Sequence, residues 1–268
     1  MNLKDLSGEK ALFEPFRLSR TFADGPDDVR ARSAVHEHTM LVYLQEEPVL
    51  QITCTPQYLC ELVLGRLLTG GMIRGTDEVD GLYICAEGSR AKVWLKDTPA
   101  PVSEKPFAEP SQTCCGGNRL LTDRFCRWPL LPVEPVRPDE EFLKALAGCF
   151  AERLPLREET SSVHSCFLVH RGAVRFACED IGRHNALDKA VGHALLEDVP
   201  LRECALVTSG RMPLDMTEKA IRAGVSVLAG RKAPTAEAAE LARRYGLTLL
   251  EITRRDGIYY WTDPREGS

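Results

Sequence analysis

The sequence has no run of the roughly 18 consecutive apolar residues that a membrane-spanning helix needs. Its opening stretch, MNLKDLSGEKALFEPF, also has none of the apolar core of a secretory leader. Both absences point to a cytoplasmic protein. An excess of basic charge is missing too: 34 Lys and Arg against 39 Asp and Glu leave a formal net charge of −5. That excludes a broad nucleic-acid surface and requires any anion site to be local. No second closely spaced Cys or His pair stands at zinc-like separation, and the H-x-E with P-C-x-x-C pattern of zinc-dependent deaminases is absent, so no intrinsic metal is expected. The 10 cysteines stand at irregular gaps and do not form a disulfide framework.

What is present is ample apolar material. With 268 residues and 44% hydrophobic content, the chain can bury a full core as one large or two small domains. Residues 1–38 read as a polar, irregular amino-terminal segment. The stretch MLVYLQEEPVLQIT, from Met40, predicts two strands around Glu46-Glu47-Pro48. TPQYLCELVLGRLLTGG predicts a helix with Thr55 as N-cap, Pro56 at its first position and Gly70-Gly71 closing it. GLYICAEGSRAKVWLK reads as a hairpin turning at Glu87-Gly88-Ser89. Between Asp97 and Pro138 the prolines are too frequent for a long helix or a central strand. Beyond it, PDEEFLKALAGCFAERL has helical periodicity, with Asp139, Glu140 and Glu141 suited to the positive end of the helix dipole. CFLVHRGAVRFACED is a second hairpin. ECALVTSG, VSVLAG and LTLLEIT are strands alternating with two helices, the pattern of a largely parallel, covered sheet. Organisation therefore reads as 1–38, a 39–137 α+β part and a 138–268 α/β part.

Cys60, Cys85, Cys149, Cys166, Cys178 and Cys204 fall at core-like positions and read as small buried hydrophobes. Cys114 and Cys115 differ, because SQTCCGGNR offers no apolar face to fill. An exposed loop with glycine amides nearby favours a reactive thiolate. The densest polar cluster is CEDIGRHNALDK. A helix beginning near Gly182 or Arg183 would put His184 and Asp188 one turn apart and place Arg183 and Asn185 among the free amides, an arrangement able to bind an anion and hold a proton-transfer histidine. The alternative is a solvated helix start with intrahelical ion pairs. His164 either reaches the same site or caps a strand. TSGR offers Ser209, Gly210 and Arg211 at a strand end, and Arg254-Arg255 precede the turn Asp256-Gly257. Together these turns would form a positive mouth for phosphate or pyrophosphate.

EDIGRHNALDK (Glu179 to Lys189), TSGR with Lys219 downstream, AGVSVLAGRKAPTAEAAELARRYGLTL from Ala223 and ELVLGRLLTGGMI from Glu61 resemble the formate dehydrogenase accessory sulfurtransferases, the FdhD/NarQ sulfur-carrier family, over residues 40–264. The resemblance implies an α/β fold: a cytidine-deaminase-like three-layer α/β/α sandwich with a smaller, mainly antiparallel β-rich amino-terminal part, usually as a homodimer. It implies that persulfide sulfur passes from a cysteine desulfurase to a molybdenum or tungsten bis(molybdopterin guanine dinucleotide) cofactor, bound as a substrate, before that cofactor enters formate dehydrogenase. The family's S-S-C-G-x-C-G becomes QTCCGGN, which keeps Cys114, sets Cys115 in a glycine place and puts Gly117 where the second cysteine belongs.

Cys114 and Cys115 are the implied sulfur carriers. Arg183, His184, Asn185, Asp188, Lys189, Ser209, Gly210 and Arg211 are the implied cofactor ligands. The segment resembling F-x-R-x-x-R keeps only Arg254 in register, with Ile252 and Gly257 at its outer positions and Arg255 alongside. T-G-G-x-H becomes TSSVH, keeping Thr160 and His164, and S-G-R-x-S-x-E becomes SGRMPLD, placing Pro213 and Asp215 at its last two matched positions. The alternative within the family is a non-catalytic cofactor-binding chaperone.

Overall fold

A computed structural model describes residues 1–18, 30–97, 118–151, 153–253 and 257–265. The amino-terminal segment, expected to be irregular, holds three strands: β1 (Asn2–Asp5), β2 (Phe13–Leu18) and β3 (Arg30–Val35). β2 and β3 pair with each other, whereas β1 runs parallel to a distant strand and has no apolar alternation to betray it. β4 (His38–Leu44) and β5 (Glu47–Cys54) form the expected hairpin, followed by α1 (Leu59–Thr69) and a second hairpin, β6 (Val79–Ile84) with β7 (Arg90–Leu95). After the proline-rich stretch, the two-residue β8 (Arg119–Leu120) adds to β5. These strands make a six-stranded mixed sheet in the order β1-β6-β7-β4-β5-β8.

The carboxy-terminal part continues with α2 (Glu140–Gly148), α3 (Pro155–Thr160), β9 (His164–His170), β10 (Ala173–Asp180), α4 (Arg183–Leu196), β11 (Cys204–Thr208), α5 (Leu214–Ala223), β12 (Val227–Gly230), α6 (Ala236–Tyr245), β13 (Thr248–Ile252) and β14 (Ile258–Thr262). Asp139 caps α2 by accepting the Phe142 N–H at 2.8 Å, which satisfies one of the free amides of the first turn. The second sheet runs β10-β9-β11-β12-β13-β14. Only β11, β12 and β13 are mutually parallel, so the sheet is mixed and not largely parallel as the alternation implied.

Period-two alternation places Cys166 and Leu168 of β9 on one face of this sheet and Phe167 and Val169 on the other. The first face shares a core with α1, α4, α5 and the first sheet. The second packs on Leu146 of α2 and on Cys149. Helices therefore cover both faces of the second sheet, and its inner helices also fill the space against the first.

The closest helix contact is between α1 and α4. A Cβ built on Gly65 would fall on the Asp188 carbonyl, and one built on Gly192 would fall on the Glu61 carbonyl. Glycine at both positions lets the two backbones touch, and that contact fixes where the first turn of α4 sits.

Two local expectations change. Thr55 does not cap α1, whose N-cap is Tyr58, because the Thr55 amide and hydroxyl are both bound to Asp180, at 3.0 Å each. Cys85 is half-buried beside the turn of the second hairpin, with its Sγ 3.7 Å from Ser89 Oγ. Cys60, Cys149, Cys166, Cys178 and Cys204 are buried as expected.

Candidate functional site at the strand ends

The carboxyl ends of β11, β12 and β13 lie at one edge of the second sheet, and ligands of open α/β sheets gather beyond such ends. β10 ends there with Glu179 and Asp180, and β9 begins there with His164, which pairs with Asp180. TSGR leaves β11 at the same edge.

The adjacent carboxylates of β10 serve different helices. Glu179 accepts the amides of Leu156 and Arg157 at 2.9 and 2.8 Å and so caps α3. Burial raises its pKa even against those bonds. Asp180, with no exposed surface, accepts the Gly182 amide at 2.9 Å and Asn185 Nδ2 at 2.8 Å, fixing the start of α4 at Arg183. Its other oxygen binds Lys189 Nζ at 2.7 Å. Lys189 is fully buried, and its ammonium also reaches Thr55 Oγ1 and the carbonyls of Thr55 and Glu179. Asp188 is equally buried and binds Lys219 and Thr69. Among the expected cofactor ligands, Asp188 and Lys189 thus have their polar atoms engaged within the chain, and they hold the site's frame without facing it.

His184 and Asp188, one turn apart on α4, meet Asp215 and Lys219, one turn apart on α5. His184 Nε2 lies 2.7 Å from Asp215 Oδ2. Burial would push the Asp215 carboxyl up, but the His184 hydrogen bond and the charges of His184 and Arg183, with the Met216 amide, outweigh it and hold the pKa below the usual value. With Asp215 ionised, His184 Nε2 carries a hydrogen and donates it. The Nδ1 of this 3%-exposed ring is buried without a hydrogen-bond partner among the described residues.

His164, left open between two roles, stands at the site. Burial first, and then the charges of Arg183, Arg157 and His184, lower its pKa, and its Nδ1 is also a buried atom without such a partner. Ser209 Oγ accepts the Ser165 amide at 2.8 Å and Arg157 Nη1 at 3.4 Å. Gly210 is buried against Arg183: a Cβ there would meet the Arg183 Cβ and Cδ at 3.0 Å, so a larger residue would push the arginine away. Arg183 is 6% exposed, whereas Arg211 is exposed.

Asn185 joins this edge to the other half of the chain. Besides Asp180, its Nδ2 donates to the Thr53 carbonyl at 2.8 Å, and its Oδ1 accepts Asn118 Nδ2 at 2.6 Å. Arg157 and Asn118 had no role in the sequence-based assignment of ligands, and Asp215 entered only as a motif position. The contacts that bring them to the site, Arg157 with Glu179, Asp215 with His184 and Asn118 with Asn185, span 22, 31 and 67 residues, so no local period marks them.

The remaining expected residues separate. Ile252 is 6% exposed in the core with Val207 and Leu250, because alternation along β13 turns its side chain inward. Gly257 sits at the β13–β14 turn with φ 95°, accepting the Thr253 amide at 2.9 Å, and presents only backbone. Cys114, Cys115, Gly117, Arg254 and Arg255 lie outside the described residues.

The edge thus assembles the guanidinium groups of Arg157 and Arg183, two imidazoles, a serine hydroxyl and the amino end of a 14-residue helix, a donor-rich set beside the carboxylates of Glu179, Asp180 and Asp215. No described helix is long and apolar enough to cross a membrane. The sequence profile of the FdhD/NarQ family matches residues 35–266. Similar proteins named sulfur carrier protein FdhD include one from Geobacillus kaustophilus, 31% identical over 84% of this chain and 86% of that protein. Another, from Bacillus pumilus, is 28% identical over 92% and 94%. A crystal structure from Desulfotalea psychrophila, of a protein assigned as a formate dehydrogenase accessory protein, superposes with a TM-score of 0.71 at 23% identity, covering 95% of this chain and 99% of that one. The fold is shared with that protein, and the match along nearly the whole carboxy-terminal nine-tenths of the sequence shows that the chain belongs to the FdhD/NarQ family.

Proposed function

We propose that this chain carries sulfur for formate dehydrogenase: Cys114, assisted by Cys115, accepts a persulfide from a cysteine desulfurase and passes it to a molybdenum or tungsten bis(molybdopterin guanine dinucleotide) substrate. One observation carries the reading. The segment bearing both thiols rejoins the described chain at Asn118, which is hydrogen-bonded to the first turn of α4, at the strand-end edge. Three peptide units of about 3.8 Å separate Cys115 from Asn118, so their Cα atoms are at most about 11 Å apart. Arg157, Arg183, Arg211 and Ser209 supply donors for the diphosphates of the substrate, and Gly210 keeps the turn close to Arg183. The names of the relatives support the sulfur-carrier role. A second sheet with helices on both faces supports the cytidine-deaminase-like architecture. We read the working form as a cytoplasmic homodimer.

The test is mass spectrometry after incubation with a cysteine desulfurase and cysteine. An adduct of one sulfur atom on the Cys114–Cys115 peptide, lost in Cys114→Ala, is expected. A folded protein without the adduct would leave the non-catalytic chaperone reading, which Gly117 in the second cysteine's place favours. GDP is expected to raise the melting temperature, and Arg211→Ala to abolish that rise. An undiminished rise in the variant would remove Arg211 from the site.

A further inference from the structure

Two buried ring nitrogens at the strand-end edge have no hydrogen-bond partner among the described residues, Nδ1 of His184 and Nδ1 of His164. The surroundings of the two rings differ. His184 donates from Nε2 to Asp215 Oδ2 at 2.7 Å. Burial opposes the charge on Asp215, but that bond, the charge of His184, the Met216 amide and the charge of Arg183 keep its carboxyl below the usual range. The hydrogen of a neutral His184 ring therefore stays on Nε2, and the lone pair falls to Nδ1. No carboxylate among the described residues is hydrogen-bonded to His164. Burial first, and then Arg183, Arg157 and His184, lower its pKa, with Asp180 alone acting the other way.

The other carboxylates around His184 already have their donors. Asp180 holds Lys189 and the start of α4, Glu179 holds the first amides of α3, and Asp188, one turn along α4, holds Lys219. On α5 Glu218 lies in the field of Arg222, and Glu61 of α1 meets α4 at Gly192, about two turns beyond His184. A positive charge on His184 thus has Asp215 to balance it but stands against the neighbouring guanidinium groups. An anion lying among those groups would remove the opposition.

We propose that the Asp215–His184 dyad couples anion binding at this edge to the uptake of one proton. The proposal rests on the diphosphate-binding role given to the edge above and adds a group to it. A neutral His184 ring turns only a lone pair to an anion, whereas a ring protonated on Nδ1 offers a charge-assisted donor. The proton comes from solvent, forms the Nδ1–H bond as the anion arrives and returns to solvent as it leaves, and no electrons move. Asp215 is the positioning residue: its carboxylate sends the lone pair to Nδ1 and balances the imidazolium that forms. His164, with no such carboxylate, stays neutral.

Sulfate is the probe, because it stays fully ionised over the working range and brings no proton of its own. Its dissociation constant is measured from about pH 7.5 to 9, above the ordinary histidine range, at fixed ionic strength by NMR of protein carrying isotope-labelled histidine. Uptake of one proton weakens binding by about tenfold for each unit of rising pH. His184→Asn is expected to abolish that dependence, Asp215→Asn to remove much of it, and His164→Asn to keep it. Where a variant fails to fold, the parent protein still decides, since saturation with sulfate should turn His184 from a neutral Nε2–H ring into an imidazolium. A merely structural Asp215 would lower the melting temperature of Asp215→Asn and leave the pH dependence intact, which would refute its positioning role. A dependence that survives His184→Asn, or a neutral His184 ring in the complex, would overturn the proposal. Sulfate binding with no pH dependence would sink the dyad's role and leave the anion site standing, whereas no binding at any pH would remove the anion site and the proposal with it.

Discussion

Lys189→Met isolates the buried ion pair under the site. The lysine has no exposed surface, and its ammonium lies 2.7 Å from Asp180 Oδ2 and 2.8 Å from Thr55 Oγ1, with the Glu179 and Thr55 carbonyls at 3.2 and 3.3 Å. Methionine retains the apolar stem and most of the volume, so the main loss is electrostatic. Asp180 keeps four donors, from the Thr55 amide and hydroxyl, the Gly182 amide and Asn185, but it loses its countercharge. Breaking a buried pair by removing one partner costs about 3 to 5 kcal/mol. At about 2 °C per kcal/mol for a chain of this length, the melting temperature should fall by about 6 to 10 °C. Calorimetry measures it. A fall of less than about 2 °C in Lys189→Met would refute the reasoning and return Lys189 to the set of groups that meet a ligand.

Gly65→Ala drives a methyl group into the Asp188 backbone where α1 touches α4. Overpacking of this kind costs about 1 to 3 kcal/mol, read as a lower urea midpoint, and an unchanged midpoint would mean the helices are free to part. For His164 the sign follows from its lowered pKa. The unfolded chain takes up a proton near the ordinary value of 6.5 and the folded one only at lower pH, so the unfolded state binds more protons in between. Stability should therefore fall as the pH drops through that window, and His164→Asn should flatten the fall in paired urea titrations. A slope equal to that of the parent protein would show that the imidazole is already solvated.

The hairpins, the three parallel strands and the helices between them were legible because period-two and period-3.6 patterning reports burial directly. Asp139 was legible as a cap because its partner, Phe142, is three residues away. β1 was not, since its pairing with β6 is a backbone matter settled some 80 residues downstream. The site follows the same division. The polarity of GRHN pointed to the strand-end edge, but the pattern could not tell Arg183 at the edge from Lys189 in the interior, because both are cations on one helix and only the packing of Thr55 and Asp180 separates them. Arg157 and Asn118 needed the tertiary fold to become visible, as did the contact of Asp215 with His184.

The dipeptide Glu179-Asp180 has a mechanical consequence. Neighbouring carboxylates on one rigid strand set the starts of both α3 and α4, so the backbone roots of Arg157 and Arg183 cannot shift independently of each other. A displacement of this one dipeptide would therefore carry both helix starts, and the roots of both arginines, in the same direction.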